Sequence, residues 1–146
     1  MMRSAAVFSL LLCSTAFAAL DAPAKGVLGD WKTPLGSVVR IEPCGGAVCL
    51  KIVKLPANAP ETTDQLNPSA SLRQRPLCAL KIGTGFHEDD PAHLSGGHLY
   101  DPISGHTYRG TITSTGSALR LRGYIGIPLF GRSQTWHRVD TITPCS

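Results

Sequence analysis

The sequence predicts an all-β fold, an eight-stranded antiparallel up-and-down barrel, on three observations. Short runs rich in Val, Ile and Leu recur along the 146-residue chain, separated by clusters drawn from its 15 glycines and 11 prolines. No helical apolar period persists beyond about two turns. Most runs follow one another across tight turns, as nearest-neighbour hairpins do. Eight short strands cannot leave two bare edges without inviting aggregation, and closing the sheet removes both while enclosing room for side chains or one small ligand. A β-sandwich is the competing arrangement, because counting strands does not fix closure.

The chain opens with a different kind of segment. Met1 to Ala19 carries one basic residue, Arg3, then the apolar stretch Ala5 to Leu12, then Ala16-Phe17-Ala18. Charge, greasy core and small-residue exit in that order make a secretory signal peptide over residues 1–18, too short at about a dozen apolar residues to span a bilayer. Cys13 leaves with it. Leu12 stands where a lipoprotein signal wants Gly or Ala, so soluble export is expected, to the periplasm or the medium. Residues 19–146 form the barrel domain, long enough for one core and too short for two.

The strands are expected in order. Val27 to Thr33 is turned by Pro34-Leu35-Gly36, and Val38 to Ile41 follows. Gly45-Gly46 reverses the chain into Ala47 to Leu55. Pro56 to Pro76 is a long, Pro-rich loop with one helical turn near Ser69 to Arg73, capped by Asn67 or Ser69. A loop of that length is expected to be a lid or binding feature. Leu77 to Phe86 resumes the strand pattern, and His87 to Ser95 reads as an acidic turn region. Gly97 to Tyr100 and His106 to Thr113 flank a turn in which Pro102 sets φ, Asp101 bonds its own backbone and Gly105 takes the left-handed position. Ala118 to Ile125 and Arg132 to Thr141 complete the eight.

A register follows. Pairing Tyr100 with His106 places His98, Tyr100, His106 and Tyr108 on one face, and pairing Thr113 with Ala118 adds Ile112, Leu119, Leu121 and Ile125. Arg109, Arg120 and Arg122 take the other face. The expected interior is therefore mixed, polar and aromatic at one end and apolar at the other.

Four cysteines remain after export: Cys44, Cys49, Cys78 and Cys145. They allow three pairings. Cys44 and Cys49 flank a tight reversal, and Cys78 with Cys145 would then tie the tail to the middle of the chain. A zinc site is the rival, disfavoured by the Cys-x4-Cys spacing and an oxidising compartment. The formal charge is +4 and the basic residues are scattered. That pattern favours an anionic envelope surface mildly and excludes the dense basic stripe of a nucleic-acid binder.

Gly29-Asp30-Trp31-Lys32-Thr33, Leu66-Asn67-Pro68, Leu72 to Leu77, Tyr100 to Tyr108 and Leu121 to Gly126 resemble, in order, the blocks of the exported bacterial family DUF2147, and Leu129 to Trp136 continues the match. The resemblance implies a lipocalin-like barrel with an internal cavity. Gly29-Asp30-Trp31 is also similar to the Gly-x-Trp of the first lipocalin strand, which implies a late arginine packed over that tryptophan. Arg138 is the candidate, Arg132 the second. This chain departs from the family pattern at Leu50 and His106, and it has Tyr124 and Phe130 where the family often has cysteines, so its cysteines need their own pairing.

The expected function is an exported carrier of a small hydrophobic or amphipathic molecule. Trp31, Trp136 and Arg138 would close the barrel; Ile112, Leu119 and Leu121 would form apolar wall; His98, Tyr100 and Tyr108 would supply polar contacts; Tyr124 would guard the mouth. No catalytic residue, metal or cofactor is called for. Two rivals remain. One is a filled barrel acting through its surface on an envelope protein or the membrane surface. The other is a metal-dependent enzyme using His87, Asp89, His93, His98 and His106, although His93 and His98 on a continuous strand would face opposite ways. No Gly-x-Ser-x-Gly elbow and no phosphate-cradling glycine loop is present.

Overall fold

The computed structural model describes residues 26–127, 129, 131–140 and 142–145. The signal-peptide expectation for residues 1–18 lies outside them. The strands are β1 (Gly29–Lys32), β2 (Val38–Cys44), β3 (Ala47–Lys54), β4 (Lys81–Asp90), β5 (His93–Asp101), β6 (His106–Ser114), β7 (Ala118–Tyr124) and β8 (Arg132–Val139). A short 3-10 turn, Ala70–Leu72, interrupts the long loop, with Ser69 at its start. Each strand pairs antiparallel with its sequence neighbours, and β1 closes on β8 through Asp30↔Val139, Trp31↔Arg138 and Lys32↔His137. The sheet is a closed up-and-down barrel, as predicted, and the sandwich is excluded.

Alternation builds the interior. Val39 and Ile41 of β2 and Val48, Leu50 and Ile52 of β3 turn inward and are buried. From the other side Phe86, Leu94, Leu99, Ile112 and Leu119 meet them. Three glycines show how fully these side chains occupy the centre. A Cβ on Gly97 would stand 2.3 Å from the Phe86 ring, one on Gly83 2.7 Å from Leu50, and one on Gly110 2.5 Å from Leu99 and 3.0 Å from Phe86. Residues of neighbouring strands thus leave space that large side chains fill, and complete burial of one such side chain contributes roughly 1.5–3 kcal/mol.

One end is plugged. The Arg138 guanidinium lies 4.1 Å from the centre of the Trp31 ring. Its Nε donates to the Gly116 carbonyl at 2.8 Å and Nη1 to that of Leu28 at 2.9 Å, while Nη2 donates to Gly26. Trp31 Nε1 donates to the Val27 carbonyl at 2.8 Å. One planar cation thus satisfies three carbonyls that the sheet leaves over, on an indole face that attracts it. Burial pushes this guanidinium below its usual value and Asp140 pulls it back up. Trp136, also buried, donates from Nε1 to Gln134 at 3.0 Å.

The disulfides are Cys44–Cys49, across the β2–β3 hairpin, and Cys78–Cys145, with Cα atoms 5.8 and 6.0 Å apart. The second holds the tail on β3, where the Cys145 amide donates to Val53 at 2.7 Å. Among the described residues no helix is long and apolar enough to cross a membrane.

Two sequence expectations need correction. His87 to Ser95 is not a turn region: β4 and β5 run through it, and only Pro91-Ala92 turns. The β5–β6 register also differs by one residue. Asp101, rather than Tyr100, faces His106, so Leu99 pairs with Tyr108 and His98 with Arg109. The Gly105 amide donates to the Asp101 carbonyl at 2.8 Å, which draws Asp101 into the ladder. A slip of one residue exchanges the faces. The expected common face of His98, Tyr100, His106 and Tyr108 therefore does not exist; His98 and Tyr100 point out of the barrel. In the β6–β7 hairpin Ile112 faces Leu121 and Ser114 faces Leu119, two residues from expectation, which preserves the faces.

Candidate functional site

Of the residues predicted to hold a ligand, Ile112 and Leu119 are fully buried in the packed centre. Tyr108 and Leu121 are partly buried and pack against that core. Tyr124 alternates outward with Arg120 and Arg122 and pairs with Arg109, so it does not guard the interior. Ile125, expected on the inner face, lies beyond β7 and is largely exposed. His98 and Tyr100 go to a different place, where the geometry is richer.

The loop between β3 and β4 folds back against the outer faces of β4, β5 and β6. Together they border an open, solvent-facing hollow of about 300 Å³ lined by Asn67, Pro68, Arg75, Lys81, Ile82, Thr84, His98, Tyr100 and Thr107. Strand alternation explains the wall. With Gly83 and Leu99 turned inward, Ile82, Thr84, His98 and Tyr100 must turn out.

Asp64 pins the loop there. It is fully buried, and its Oδ1 accepts from the Tyr100 hydroxyl at 2.5 Å. Oδ2 accepts from Asn67 Nδ2 at 2.8 Å, Arg75 Nε at 2.8 Å and Arg75 Nη2 at 2.7 Å. The Asn67 Oδ1 in turn accepts from the Ser69 amide at 2.9 Å, and Arg73 Nε donates to the Asn67 carbonyl at 2.9 Å. Thr63 and Pro76 form a bridge that brings the two arms of the loop together. The Arg75 guanidinium lies 5.6 Å from the Tyr100 ring centre. Burial alone would raise the Asp64 carboxyl, but donation from Tyr100, Asn67 and Arg75 and the Arg75 charge outweigh it and hold the group below the usual carboxylate value. Burial and the neighbouring carboxylate push the Tyr100 hydroxyl up. Tyr100 thus donates its hydroxyl proton in a hydrogen bond to Asp64. The loop is clamped to the barrel wall, and the hollow beside the clamp offers Lys81 as a cation, the His98 ring nitrogens as hydrogen-bonding groups, Thr84 and Thr107 as hydroxyls, and Ile82 and Pro68 as apolar surface.

Sequence reasoning reached Tyr100 and His98 and suspected the loop, but missed Asp64, Asn67, Arg75, Lys81, Thr84 and Thr107. Asp64 stands in an aperiodic stretch where nothing local marks a carboxylate for burial. A second hollow of about 260 Å³, lined by Thr111, Thr113, Arg120 and Arg122, lies on the outside of β6 and β7.

The histidine region takes another form. The Gly96 bulge, with φ of 72°, lets His93 and His98 both face outward, contrary to the continuous-strand expectation. His93 Nδ1 lies 2.7 Å from Asp90 Oδ2, and Ser95 donates to Asp89 at 3.0 Å. Among the described residues no three His, Cys, Asp or Glu side chains converge as a metal site.

A solved structure from Helicobacter pylori, protein HP1028, described as belonging to the lipocalin family, superposes with a TM-score of 0.70 at 20% identity, covering 77% of this chain and 82% of that one. The likeness is one of fold, and this barrel is lipocalin-like. No curated protein is significantly similar in sequence. The family model described as "Uncharacterized protein conserved in bacteria (DUF2147)" matches residues 29–138. That span begins at the first glycine of β1 and ends at the arginine that caps Trp31, so the chain belongs to the DUF2147 family.

Proposed function

We propose that the protein is an exported, non-catalytic binder of a small amphipathic anion, held in the hollow between the clamped loop and the outer wall of β4–β6. The observation that carries this reading is the hollow itself: about 300 Å³, with the Lys81 ammonium and the His98 ring beside Ile82 and Pro68, next to the Arg75–Asp64 pair. Apolar contact supplies affinity in such sites, and a few fixed polar groups choose the ligand. The two disulfides support passage through an oxidising compartment, the periplasm or the medium. The barrel interior is the weaker location, because Phe86, Leu50 and Leu99 stand in it against Gly97, Gly83 and Gly110 of neighbouring strands.

Octanoate, with one carboxylate and a short chain, is a suitable probe. Added to the uniformly labelled protein, it is expected to move the amide resonances of residues 67–84 and 98–107, and Lys81→Gln to weaken its binding about five- to tenfold, as loss of one charged contact does. Shifts centred instead on Ile112, Leu119 and Leu121 would return the ligand to the interior. Absence of any shift at millimolar octanoate would remove this reading.

A further inference from the structure

In an up-and-down barrel successive connections alternate between the two ends. The β1–β2, β3–β4, β5–β6 and β7–β8 connections therefore share one end, and the hairpins β2–β3, β4–β5 and β6–β7 share the other with the Arg138 plug. Six described large aliphatic side chains are more than half exposed, and all six lie at the first end. Leu35 sits in the β1–β2 turn, Leu66 in the long loop, Ile103 in the β5–β6 turn, and Ile125, Ile127 and Leu129 in the β7–β8 connection. Chain packing agrees: a Cβ on Gly105 of the β5–β6 turn would stand 2.1 Å from the Leu66 carbonyl oxygen, so these two loops touch.

Charge is divided in the same way. Lys32, Lys54, Arg73, Lys81 and Arg132 stand in these loops or at the strand ends that feed them. The carboxylates at this end are Glu61, the buried Asp64 already paired with Arg75, and Asp101, which accepts from the Ile103 amide and the Ser104 hydroxyl of its own turn. The acidic run Glu88-Asp89-Asp90 lies at the opposite end, in the β4–β5 hairpin. Aliphatic side chains carried on four separate loops, with cations at the ends of β1, β3, β4 and β8, are the features that insert into headgroups and are held there by negative charge.

We infer that this end of the barrel docks on a lipid surface bearing anionic headgroups, with Ile103, Ile125, Ile127 and Leu129 entering the interface and Lys32, Lys54 and Arg132 facing the headgroup charge. The inference does not depend on the hollow beside β4–β6. It concerns the loop tips, and it stands or falls separately.

Flotation with large unilamellar vesicles of phosphatidylcholine containing phosphatidylglycerol tests it. The protein is expected to float with these vesicles and to partition at least about tenfold less onto phosphatidylcholine alone, or onto the mixed vesicles at high salt, where headgroup attraction is screened. Ile127→Ser with Leu129→Ser, and separately Ile103→Ser, should each lower partitioning by about tenfold or more, since each removes inserted apolar area. Leu28→Ser, at the plugged end, should leave it unchanged; every variant is at a surface position, and its melting curve reports folding. No flotation of the wild-type protein, or an equal loss with Leu28→Ser, would overturn the inference. So would self-association that Ile127→Ser/Leu129→Ser abolishes in a protein that ignores vesicles, because a second copy would then be what covers these loops.

Discussion

At the residue scale, Asp64 decides how the loop meets the barrel. A buried carboxylate is costly unless donors surround it, and this one has four donor contacts from three side chains. Its pKa is depressed on folding, so the unfolded chain binds the proton more readily. The stability it contributes is therefore complete above the unfolded value of about 3.9 and is lost as pH falls through the folded one. Tyr100 has the opposite sign: its raised pKa contributes stability that is complete below about 10 and lost as pH rises through the folded value. The clamp is thus held closed across the whole neutral range. Asp64→Asn keeps the shape but removes the charge, and it should cost about 1.5–3 kcal/mol near neutrality, the worth of hydrogen bonds to a charged group. Urea midpoints of the two proteins should draw together as pH falls from about 5 to about 2. A gap that stays constant across that range would show that the carboxylate charge plays no part in the clamp. Tyr100 was singled out because its strand was legible, but it was given the inner face rather than the outer one. Asp64 was not, since a residue in a loop without periodicity acquires its role only from the strand it folds against.

At the scale of elements, the existence of eight strands was legible in short extended runs between turn residues, although the polar stretch of β4 and β5 over 87–95 read as a turn. Register was not legible, because two local features set it. The Gly105 amide closes its turn on the Asp101 carbonyl and adds one residue to β5, while the bulge at Gly96 adds another within it. Each is a single backbone decision, and either exchanges the faces of everything on one side. That is why His98 and Tyr100 line an outer hollow rather than an inner wall. The bulge also brings Gly97 inward, directly against Phe86. Phe86 has little room to retreat, as its ring also lies against the site of a Cβ on Gly110. Gly97→Ala should therefore destabilise the protein by about 1–3 kcal/mol, the usual cost of overpacking. Combined with Phe86→Leu, the same alanine should cost less than it does alone, and a melting-temperature cycle of the four proteins reads the difference. Additive effects would mean that the alanine methyl is accommodated by backbone movement, with the ring left in place.

At the scale of the molecule, strand number alone left barrel and sandwich open; the nearest-neighbour hairpins and the need to hide two edges favoured closure, and β1 meets β8 accordingly. What the barrel does not close by itself is the long excursion between β3 and β4 and the tail after β8. The Cys78–Cys145 bridge joins the two, across a sequence separation of 67, whereas Cys44–Cys49 spans only 5. If a disulfide acts by restricting the unfolded chain, these separations correspond to about 4 and about 2 kcal/mol. The longer bridge also fixes the tail whose Cys145 amide donates to Val53, a contact that the shorter bridge does not touch. Both contributions have the same sign, so Cys78→Ser/Cys145→Ser should lower the denaturation midpoint more than Cys44→Ser/Cys49→Ser. The hairpin pair already has a register fixed by seven partnered positions and a tight turn, so its bridge restricts a chain that is locally biased to meet anyway. Calorimetry of the two double variants beside the oxidised protein measures both losses. A greater loss from the hairpin pair would mean that the tail returns to β3 without its bridge, and that the unfolded chain keeps the β3–β4 excursion and the tail near one another.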